Sequence, residues 1–445
     1  MNRLRWLAMA SAVLIIGFQW RADGQGSPAD EALVKRARAI HERVIALDTH
    51  NDIEPANFTA DRNYTQRLDT QVNLPKMIEG GLDASFFIVY VGQPNEAQPP
   101  DALTAAGYAR AYQAASAKFD AVHRLTERIA PDKIGLALTS ADVRRLNASG
   151  KKVALIGVEN GYPVGEDIHR VQEFYDRGAR YMSLAHNGNN QLSDSNTGER
   201  DGYKWDNGTS PLGKEVLAEM NRVGLMVDVS HPSKGSMMQA AALSKAPIIA
   251  SHSAVRTLCN VSRNMDDEQL KALAKTDGVV QIVAFSGYIK TPKPDSPERT
   301  TLIAALRNAY GLPLPTAAQG GAGRGELQAA VAKLAAERRA EYDRRLATID
   351  ASYPADPGAT VADFVNHIDY AVKLIGIDHV GISSDFDGGG GITGWRDASE
   401  TFNVTLELVR RGYSESQIAK LWSGNLLRVM DRVQAVAREL QKQKR

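Results

Sequence analysis

Histidine and carboxylate side chains near the start of the chain have the types and spacing of metal ligands. The apolar residues 44–47 lead into segment 48–52, which reads Asp-Thr-His-Asn-Asp. Residues two apart in an extended chain point the same way, so His50 and Asp52 face one side together, with Asp48 on the same face behind them. One strand end can therefore offer two donors to a metal ion. A hydrogen-bonded His–Asp pair is the alternative interpretation of this motif by itself.

The same pattern, an apolar run that delivers a potential ligand at its end, recurs along the chain. The runs and the residues that follow them are 153–158 with Glu159, 224–230 with His231, 246–251 with His252, and 378–384 with Asp385 and Asp387. Any one of them alone is typical of an ordinary polar side chain or of an Asp-Gly turn. Glu159 at a buried strand end needs a cation, because an unpaired buried carboxylate is costly. Five such strand ends together indicate one metal-dependent site.

Helix-like segments lie between these apolar runs and predict how the donors are brought together. Residues 167–177, 213–223 and 266–275 carry apolar side chains at three- and four-residue spacing. Alternation of strand and helix is the signature of a parallel sheet. With this many repeats, we predict a TIM-like (β/α)8 barrel with its active site at the C-terminal face. A doubly wound sheet is the alternative, but its dinucleotide fingerprint, G-x-G-x-x-G after a strand, is not evident.

Length and charge fit one enzyme domain and argue against two kinds of partner. The chain has 445 residues and a mass of 48.3 kDa, which is enough for one barrel with insertions. Its formal net charge is +1, from 53 Lys and Arg against 52 Asp and Glu. No nucleic acid and no anionic membrane surface is therefore expected as the main partner. The single cysteine, Cys259, cannot form an internal disulfide.

The first 24 residues read as a secretory signal peptide. Arg3 and Arg5 precede the apolar residues 6–18, and a polar segment with small residues follows. We expect cleavage after Gly24, a barrel domain over residues 30–445, a periplasmic or secreted location, and no stable membrane anchor after cleavage. An uncleaved anchor is the alternative, but the apolar stretch is short for a bilayer span.

Residues 291–357 depart from the regular alternation and predict a helical insertion. The segment has a Pro-rich start, a glycine patch between 320 and 325, and a charged helix at about 326–349. We expect it to pack across the barrel mouth as an exposed element. A lid over the site, a plain surface hairpin and a contact between the subunits of a homodimer are its alternative roles.

The chain resembles the membrane dipeptidase (renal dipeptidase) family of binuclear zinc peptidases over most of its length. The motifs that carry the resemblance are Asp-Thr-His-Asn-Asp at 48–52, Gly-Val-Glu-Asn-Gly at 157–161, Tyr-Met-Ser-Leu-Ala-His-Asn at 181–187, Val-Asp-Val-Ser-His at 227–231, Ser-His-Ser at 251–253 with Arg-Asn at 263–264, and His-Val-Gly at 379–381 through Asp-Phe-Asp-Gly at 385–388. Their order and spacing together are highly specific.

The resemblance implies two zinc ions (Zn2+) per chain and assigns their ligands. The implied ligands are His50 and Asp52 for one zinc, His231 and His252 for the other, and Glu159 as the bridge between them. Two such metals can share a hydroxide, because they lower the pKa of bound water to about 7. That hydroxide would attack the amide carbon of a peptide bond.

The same resemblance implies the remaining catalytic and substrate-binding roles. His186 would polarise the scissile carbonyl and stabilise the tetrahedral intermediate, and Asp385 would transfer the proton to the leaving amine. Arg263 and Tyr288 would hold the free C-terminal carboxylate of a dipeptide. Strand alternation places Asp385 and Asp387 on the same face, so the choice of Asp385 rests on the resemblance.

The predicted function is zinc-dependent hydrolysis of dipeptides that have a free C-terminal carboxylate. Animal members of the family have paired cysteines and a lipid-anchor signal. This chain has one cysteine, Gly188 at the position of a family cysteine, and a charged C-terminal end, which favours a bacterial-type enzyme. Two alternatives stay open: a related metal-dependent amidohydrolase acting on N-acyl amino acids, and a non-catalytic metal- or peptide-binding protein of the cell envelope.

Overall fold

Parallel strands and helices alternate along the chain, as the apolar runs predict. The computed structural model describes residues 28–93, 102–314, 327 and 330–443. The predicted signal peptide and the glycine patch of the insertion lie outside these residues. None of the helices in the described ranges is long and apolar enough to cross a lipid bilayer.

The strands of the described residues form one parallel sheet that curls into a nearly closed barrel. The strands are β1 Leu47–Asp52, β2 Ala84–Tyr90, β3 Ile134–Leu136, β4 Lys152–Glu159, β5 Ala179–Ser183, β6 Met226–Asp228, β7 Ile249–Ser253, β8 Val279–Val283 and β9 Val380–Ser383. They pair in the order β1-β2-β4-β5-β6-β7-β8-β9, and β3 adds to the start of β4. The backbone N–H of Asp52 donates to the carbonyl of Phe386 at 2.9 Å, which joins the first strand to the segment after the last. The predicted (β/α)8 barrel is confirmed.

Helices connect the strands and cover the outside of the barrel. The helices are α1 Pro28–His41, α2 Leu74–Gly80, α3 Ala105–Arg124, α4 Ser140–Ala148, α5 His169–Asp176, α6 Gly198–Asp201, α7 Pro211–Val223, α8 Lys234–Leu243, α9 Asp267–Lys275, α10 Ser286–Ile289, α11 Pro297–Tyr310, α12 Ala336–Ser352, α13 Val361–Ile375, α14 Phe402–Arg410, α15 Glu415–Ala419 and α16 Asn425–Gln443. The three helices predicted from apolar spacing correspond to α5, α7 and α9. Helix α9 begins with a capping box, in which Asp266 and Gln269 each accept the other's backbone N–H.

Side chains alternate between the inside of the barrel and the surrounding helices. In β2, Phe86 and Ile88 face the inside, and Phe87 and Val89 pack against the helices. All four are fully buried, as expected for a parallel sheet covered on both faces. Apolar side chains of α16 join the inner cluster at the beginnings of the strands. The carboxyl ends of the strands are therefore the open end of the barrel.

Two fully buried aspartates join neighbouring strands beneath this open end. The Asp48 carboxylate in β1 accepts hydrogen bonds from the backbone N–H and the hydroxyl of Ser384, at 2.8 and 2.6 Å. The Asp228 carboxylate in β6 accepts the same pair from Ser251 in β7, at 2.8 and 2.7 Å. Both aspartates hold the alignment of adjacent strands, because hydrogen bonds from a buried N–H and hydroxyl satisfy their charge.

The Pro-rich start of the predicted helical insertion contains a helix of its own. Helix α11 begins at Pro297, and the Ser296 side chain accepts the backbone N–H of Arg299 as its cap. Proline is tolerated in the first helical turn, where its missing N–H would have no partner within the helix. A proline in a Pro-rich segment can therefore mark the start of a helix as well as interrupt one.

The rest of the insertion packs on α11 as a small separate cluster. The charged helix predicted at about 326–349 is observed as α12, which begins at Ala336. Leu306 and Tyr310 of α11 pack with Tyr342 of α12. None of the described residues of the insertion lines the cavity at the carboxyl ends of the strands.

Candidate metal centre and active site

A cavity of about 640 Å³ opens at the carboxyl ends of the strands. Eight of the nine site residues predicted from the sequence line it, and the ninth, His50, is fully buried beneath them. The nine come from the ends of seven barrel strands, all except β2. Residues so distant in sequence meet because parallel strands all end on the same face. In TIM barrels this face carries the active site.

The five predicted metal ligands fall into two groups that share Glu159. In one group, His50 Nε2 lies 3.5 Å from Asp52 Oδ2 and 3.5 Å from Glu159 Oε2. In the other, Glu159 Oε1 lies 2.9 Å from His231 Nε2 and 3.2 Å from His252 Nε2. Within each group the ligand atoms all lie within 4.8 Å of one another. Each oxygen of one carboxylate thus faces its own group, which is the arrangement of a carboxylate that bridges two ions.

Hydrogen bonds around His50 determine which of its ring nitrogens carries the proton. The Tyr181 hydroxyl donates to the backbone carbonyl of Thr49 at 3.0 Å, so it accepts from His50 Nδ1, 3.1 Å away. His50 Nε2 is left facing the carboxylates of Asp52 and Glu159, and it has no hydrogen-bond partner. A lone pair that faces two carboxylates is favourable only with a cation between them, either a metal ion or a proton.

A second chain of hydrogen bonds orients His252 in the same way. Ser251 Oγ donates to Asp228 Oδ2 at 2.7 Å, and it therefore accepts from His252 Nδ1 at 2.8 Å. The Nε2 atom of His252, which carries the lone pair, lies 3.0 Å from His231 Nε2 and 3.2 Å from Glu159 Oε1. Two ring nitrogens and a carboxylate oxygen that converge in this way fit the donor set of Zn2+, with support from residues behind the ligands.

Burial and neighbouring charges set the protonation of this centre. Burial, together with the charge of Arg263, lowers the pKa of His231 well below its usual value. Burial, together with the charges of His50 and Arg263, does the same to the pKa of His252, and the neutral ring is the form that binds metals. Burial would raise the pKa of Glu159, but the charges of nearby histidines, His50 first, hold it well below its usual range. Burial lowers the pKa of His50, but the opposing carboxylate charges, that of Glu159 first, hold it well above 6.5. In the metal-free protein, protonated His50 therefore supplies the positive charge that a metal ion would otherwise supply.

Asp385 reaches the same centre from the turn after β9. Its Oδ1 lies 3.9 Å from His50 Nε2. Gly388 makes room for this carboxyl, because a Cβ there would lie 2.4 Å from Asp385 Oδ1 and 2.3 Å from Asp52 Oδ2. Burial, with the charges of Asp52 and Glu159 and against that of His50, raises the pKa of Asp385 to about 8. At neutral pH the Asp385 carboxyl therefore holds a proton in the metal-free protein.

Asp387 does not join Asp385 at the centre, contrary to the expectation from strand alternation. Its carboxylate accepts hydrogen bonds from the backbone N–H groups of Gln71, at 2.9 Å, and of Val72, at 3.4 Å. The alternation fails because Asp385 and Asp387 both have left-handed backbones, with φ of 57° and 59°, so the segment is a turn and not a strand. Asp387 anchors a loop beside the cavity.

His186 lies on the cavity wall next to His231. The two ring centroids are 4.1 Å apart, and His186 Nε2 is 3.8 Å from Glu159 Oε1. His186 Nδ1 lies 3.3 Å from the Tyr90 hydroxyl. Burial lowers the pKa of His186. Its neutral ring can therefore donate one N–H hydrogen bond, as contact with a developing oxyanion requires.

Arg263 is a buried cation without a carboxylate partner. Its guanidinium donates to the backbone carbonyls of Ser230 and His252 and to Ser253 Oγ. Its Nε has no hydrogen-bond partner, and it forms no ion pair with the carboxylates of the described residues. The centre of the Tyr288 ring lies 5.6 Å from Arg263 Cζ, and both residues line the cavity. A fixed guanidinium of this kind can bind a carboxylate that a ligand brings.

The residues that orient the ligands were not predicted from the sequence. Tyr181 and Ser251 belong to the motifs at 181–187 and 251–253, but only their hydrogen bonds reveal that they fix the ring nitrogens of histidines. Gly157 makes room for Tyr181, since a Cβ there would lie 2.2 Å from its Cζ. For Ser251 the sequence did contain a signal, because a polar side chain directly before His252 on a buried strand needs a hydrogen-bond partner.

Comparison with known proteins places the chain among dipeptidases. The sequence matches the family model for membrane dipeptidases (peptidase family M19) over residues 34–444. Dipeptidase aclJ of Aspergillus oryzae is 29% identical over 416 residues, which span 89% of this chain and 80% of that protein. Dipeptidase verJ of Clonostachys rogersoniana is 29% identical over 421 residues, which span 92% of this chain and 89% of that protein.

Solved structures share the fold. The crystal structure of the probable dipeptidase PvdM from Pseudomonas aeruginosa aligns with a TM-score of 0.73 and 32% identity, over 92% of this chain and all of that one. A metallopeptidase from Rhodobacter sphaeroides, crystallised with a phosphinate mimic of L-Ala-D-Ala, aligns with a TM-score of 0.64 and 21% identity. The alignment covers 88% of this chain and 99% of that one. At that lower identity the second comparison supports the fold alone.

We expect the purified protein to bind two divalent metal ions per chain. Glu159→Ala should remove both ions, because each oxygen of Glu159 faces one group of ligands, whereas His50→Ala should mainly remove one. Elemental analysis of the dialysed proteins measures this directly. His169→Ala, an exposed histidine of α5, serves as the control and should keep both ions. Active protein that contains one metal or none would contradict the two-ion centre.

Tyr181→Phe should weaken the site of His50 and leave the site of His252 intact. The variant keeps the ring but loses the hydroxyl that fixes the His50 tautomer, and such supporting contacts are worth roughly 10- to 100-fold in metal affinity. Titration calorimetry of the metal-free protein with Zn2+ resolves the two sites. Tyr413→Phe, which removes a hydroxyl bonded to Asp369 instead, is the matched control. Equal weakening of both sites would mean that Tyr181 supports the barrel in general.

Proposed function

The chain belongs to the membrane dipeptidase family, peptidase family M19, and from this premise we propose that it hydrolyses dipeptides with a free C-terminal carboxylate at a centre of two zinc ions. It is a metallo-dipeptidase, a hydrolase that acts on peptide bonds. The observation that carries the finer proposal is Arg263, a buried guanidinium on the wall of the metal-ligand cavity that forms no ion pair with any carboxylate in the described ranges.

The centre supplies the nucleophile, and the surrounding residues place the substrate. Divalent ions bound there would lower the pKa of a water molecule enough for attack at neutral pH. The residues that would hold them are His50, Asp52, Glu159, His231 and His252. Three protein donors in each group leave positions open, as catalytic sites require.

Arg263 and Tyr288 would bind the end of the substrate. The guanidinium is already fixed by three hydrogen bonds to the protein, so little conformational entropy is lost when it receives a carboxylate. At an internal peptide bond the same position carries an uncharged peptide group. An enzyme of this design therefore favours the C-terminal peptide bond, the one bond of a dipeptide, over internal bonds.

His186 and Asp385 would act on the reacting bond. His186 is neutral and next to the His231 group, so its N–H is available to the oxygen that gains charge during attack. Asp385 forms a group with His50 and His252, whose potential ligand atoms all lie within 4.8 Å of one another, and from there its carboxyl would pass a proton to the departing amine. Burial, which raises the pKa of this carboxyl, favours the protonated form that a general acid needs.

The proposed function predicts a clear order of substrates for the zinc-loaded protein. L-Ala-L-Ala should be hydrolysed, and L-Ala-D-Ala tests the configuration that is accepted at the C-terminal residue. N-acetyl-alanine should be a poor substrate. Release of free alanine, followed by chromatography, measures all three. Faster turnover of N-acyl amino acids would favour the amidohydrolase alternative, and bound zinc without any turnover would favour a binding protein.

Arg263→Ala should lower kcat/KM for free dipeptides by roughly ten- to a hundredfold, because a hydrogen bond to a charged group is worth about 1.5 to 3 kcal/mol. A dipeptide amide, which lacks the charge, should be a poor substrate of the wild type and lose little more in the variant. Arg256→Ala is the control, since Arg256 lies on the same loop and pairs with Glu199. Equal losses for acid and amide would assign Arg263 a structural role.

A further inference from the structure

The cavity contains a second cation on the side opposite Arg263. In the ring of eight barrel strands, β2 stands four positions from β7, so the segments that follow these two strands face each other across the metal ligands. Arg263 follows β7. Lys118, on helix α3 after β2, lines the same cavity.

Lys118 has no ion-pair partner in the part of the chain that the structure describes. It is half-buried, and its Nζ lies 5.8 Å from the centre of the Tyr90 ring. Tyr90 is the last residue of β2, and its ring centroid is 4.5 Å from that of His186. The Tyr90 ring therefore lies between the Lys118 ammonium group and His186, the residue proposed to contact the scissile carbonyl.

The direction of a dipeptide across the cavity follows from the proposed function, on which this inference rests. With the C-terminal carboxylate on Arg263 and the scissile carbonyl at the metal ligands, the N-terminal residue lies toward β2. Its α-ammonium group is attracted to the carboxylates of Asp52 and Glu54, which line the cavity after β1. Its side chain is then left to face Tyr90 and Lys118.

We propose that Lys118 forms a subsite for a carboxylate on the side chain of the N-terminal residue, so that dipeptides beginning with Asp or Glu are preferred substrates. An ammonium group partly removed from water attracts a carboxylate more strongly than it would in bulk solvent. Its four-carbon stem allows it to follow side chains of either length. Glu54 lines the same cavity but forms no ion pair with Lys118, so it does not neutralise the ammonium group.

Two pairs of substrates that match in shape and differ in charge test this subsite: Glu-Ala with Gln-Ala, and Asp-Ala with Asn-Ala. In the wild type, kcat/KM for the acid should exceed that for the amide by about tenfold, the size of one charge-assisted contact. Lys118→Gln should bring both ratios close to one, and Lys118→Glu should bring them below one. The wild-type ratios should also fall as salt is added.

Lys271→Glu, on the exposed side of α9, makes the same charge change outside the cavity and should leave the ratios as in the wild type. Equal kcat/KM for acid and amide in the wild type, or a ratio that persists in Lys118→Gln, would overturn the subsite and leave the dipeptidase proposal standing. If zinc-loaded protein hydrolysed none of these dipeptides nor Ala-Ala, the proposed function itself would fail, and this inference with it.

Discussion

One buried carboxylate must be neutralised from two sides, and the rest of the site depends on this constraint. Glu159 ends β4 at the centre of the barrel, and its two oxygens face separate groups of ligands at 2.9 to 3.5 Å. A charge in such surroundings needs cations close by. Burial keeps His231 and His252 neutral, so these rings cannot supply the charge but can bind ions that do. In the metal-free protein the charge comes from His50, and the donors around Glu159 fit the metal that the family implies.

The need for correctly aimed lone pairs explains the polar layer beneath the centre. The Asp228 carboxylate aligns β6 with β7 through Ser251, and the same serine orients the ring of His252. Asp48 aligns β1 with the segment after β9 through Ser384, and this alignment carries His50 on one side and Asp385 on the other. Hydrogen bonds that hold the strands in register therefore also place the ligands. Stability and chemistry share one set of contacts here, so changes in this layer act on both.

Sequence reasoning predicted which candidate ligands come together because parallel strands leave little freedom in where their ends lie. Once residues 153–158 and 246–251 are taken as strands of one barrel, Glu159 and His252 have to meet at its C-terminal face. The same reasoning could not separate Asp385 from Asp387, since two left-handed residues rotate their side chains apart and an Asp-Gly sequence signals only a turn. Lys118 gave no signal, because helical spacing tells which side of α3 faces the core and not that the helix borders the cavity.

Arg263, the residue proposed to bind the substrate carboxylate, is attached directly to the group of candidate metal ligands. Arg263 donates to the carbonyl of His252, a ligand, and to that of Ser230, which directly precedes the ligand His231. The guanidinium and one metal group are thus parts of a single hydrogen-bonded unit, and their separation cannot change without moving the ligands. A loop that held the guanidinium from a separate anchor could change this separation. Under the proposed function, the fixed interval confines cleavage to the peptide bond at one set distance from the C-terminal carboxylate.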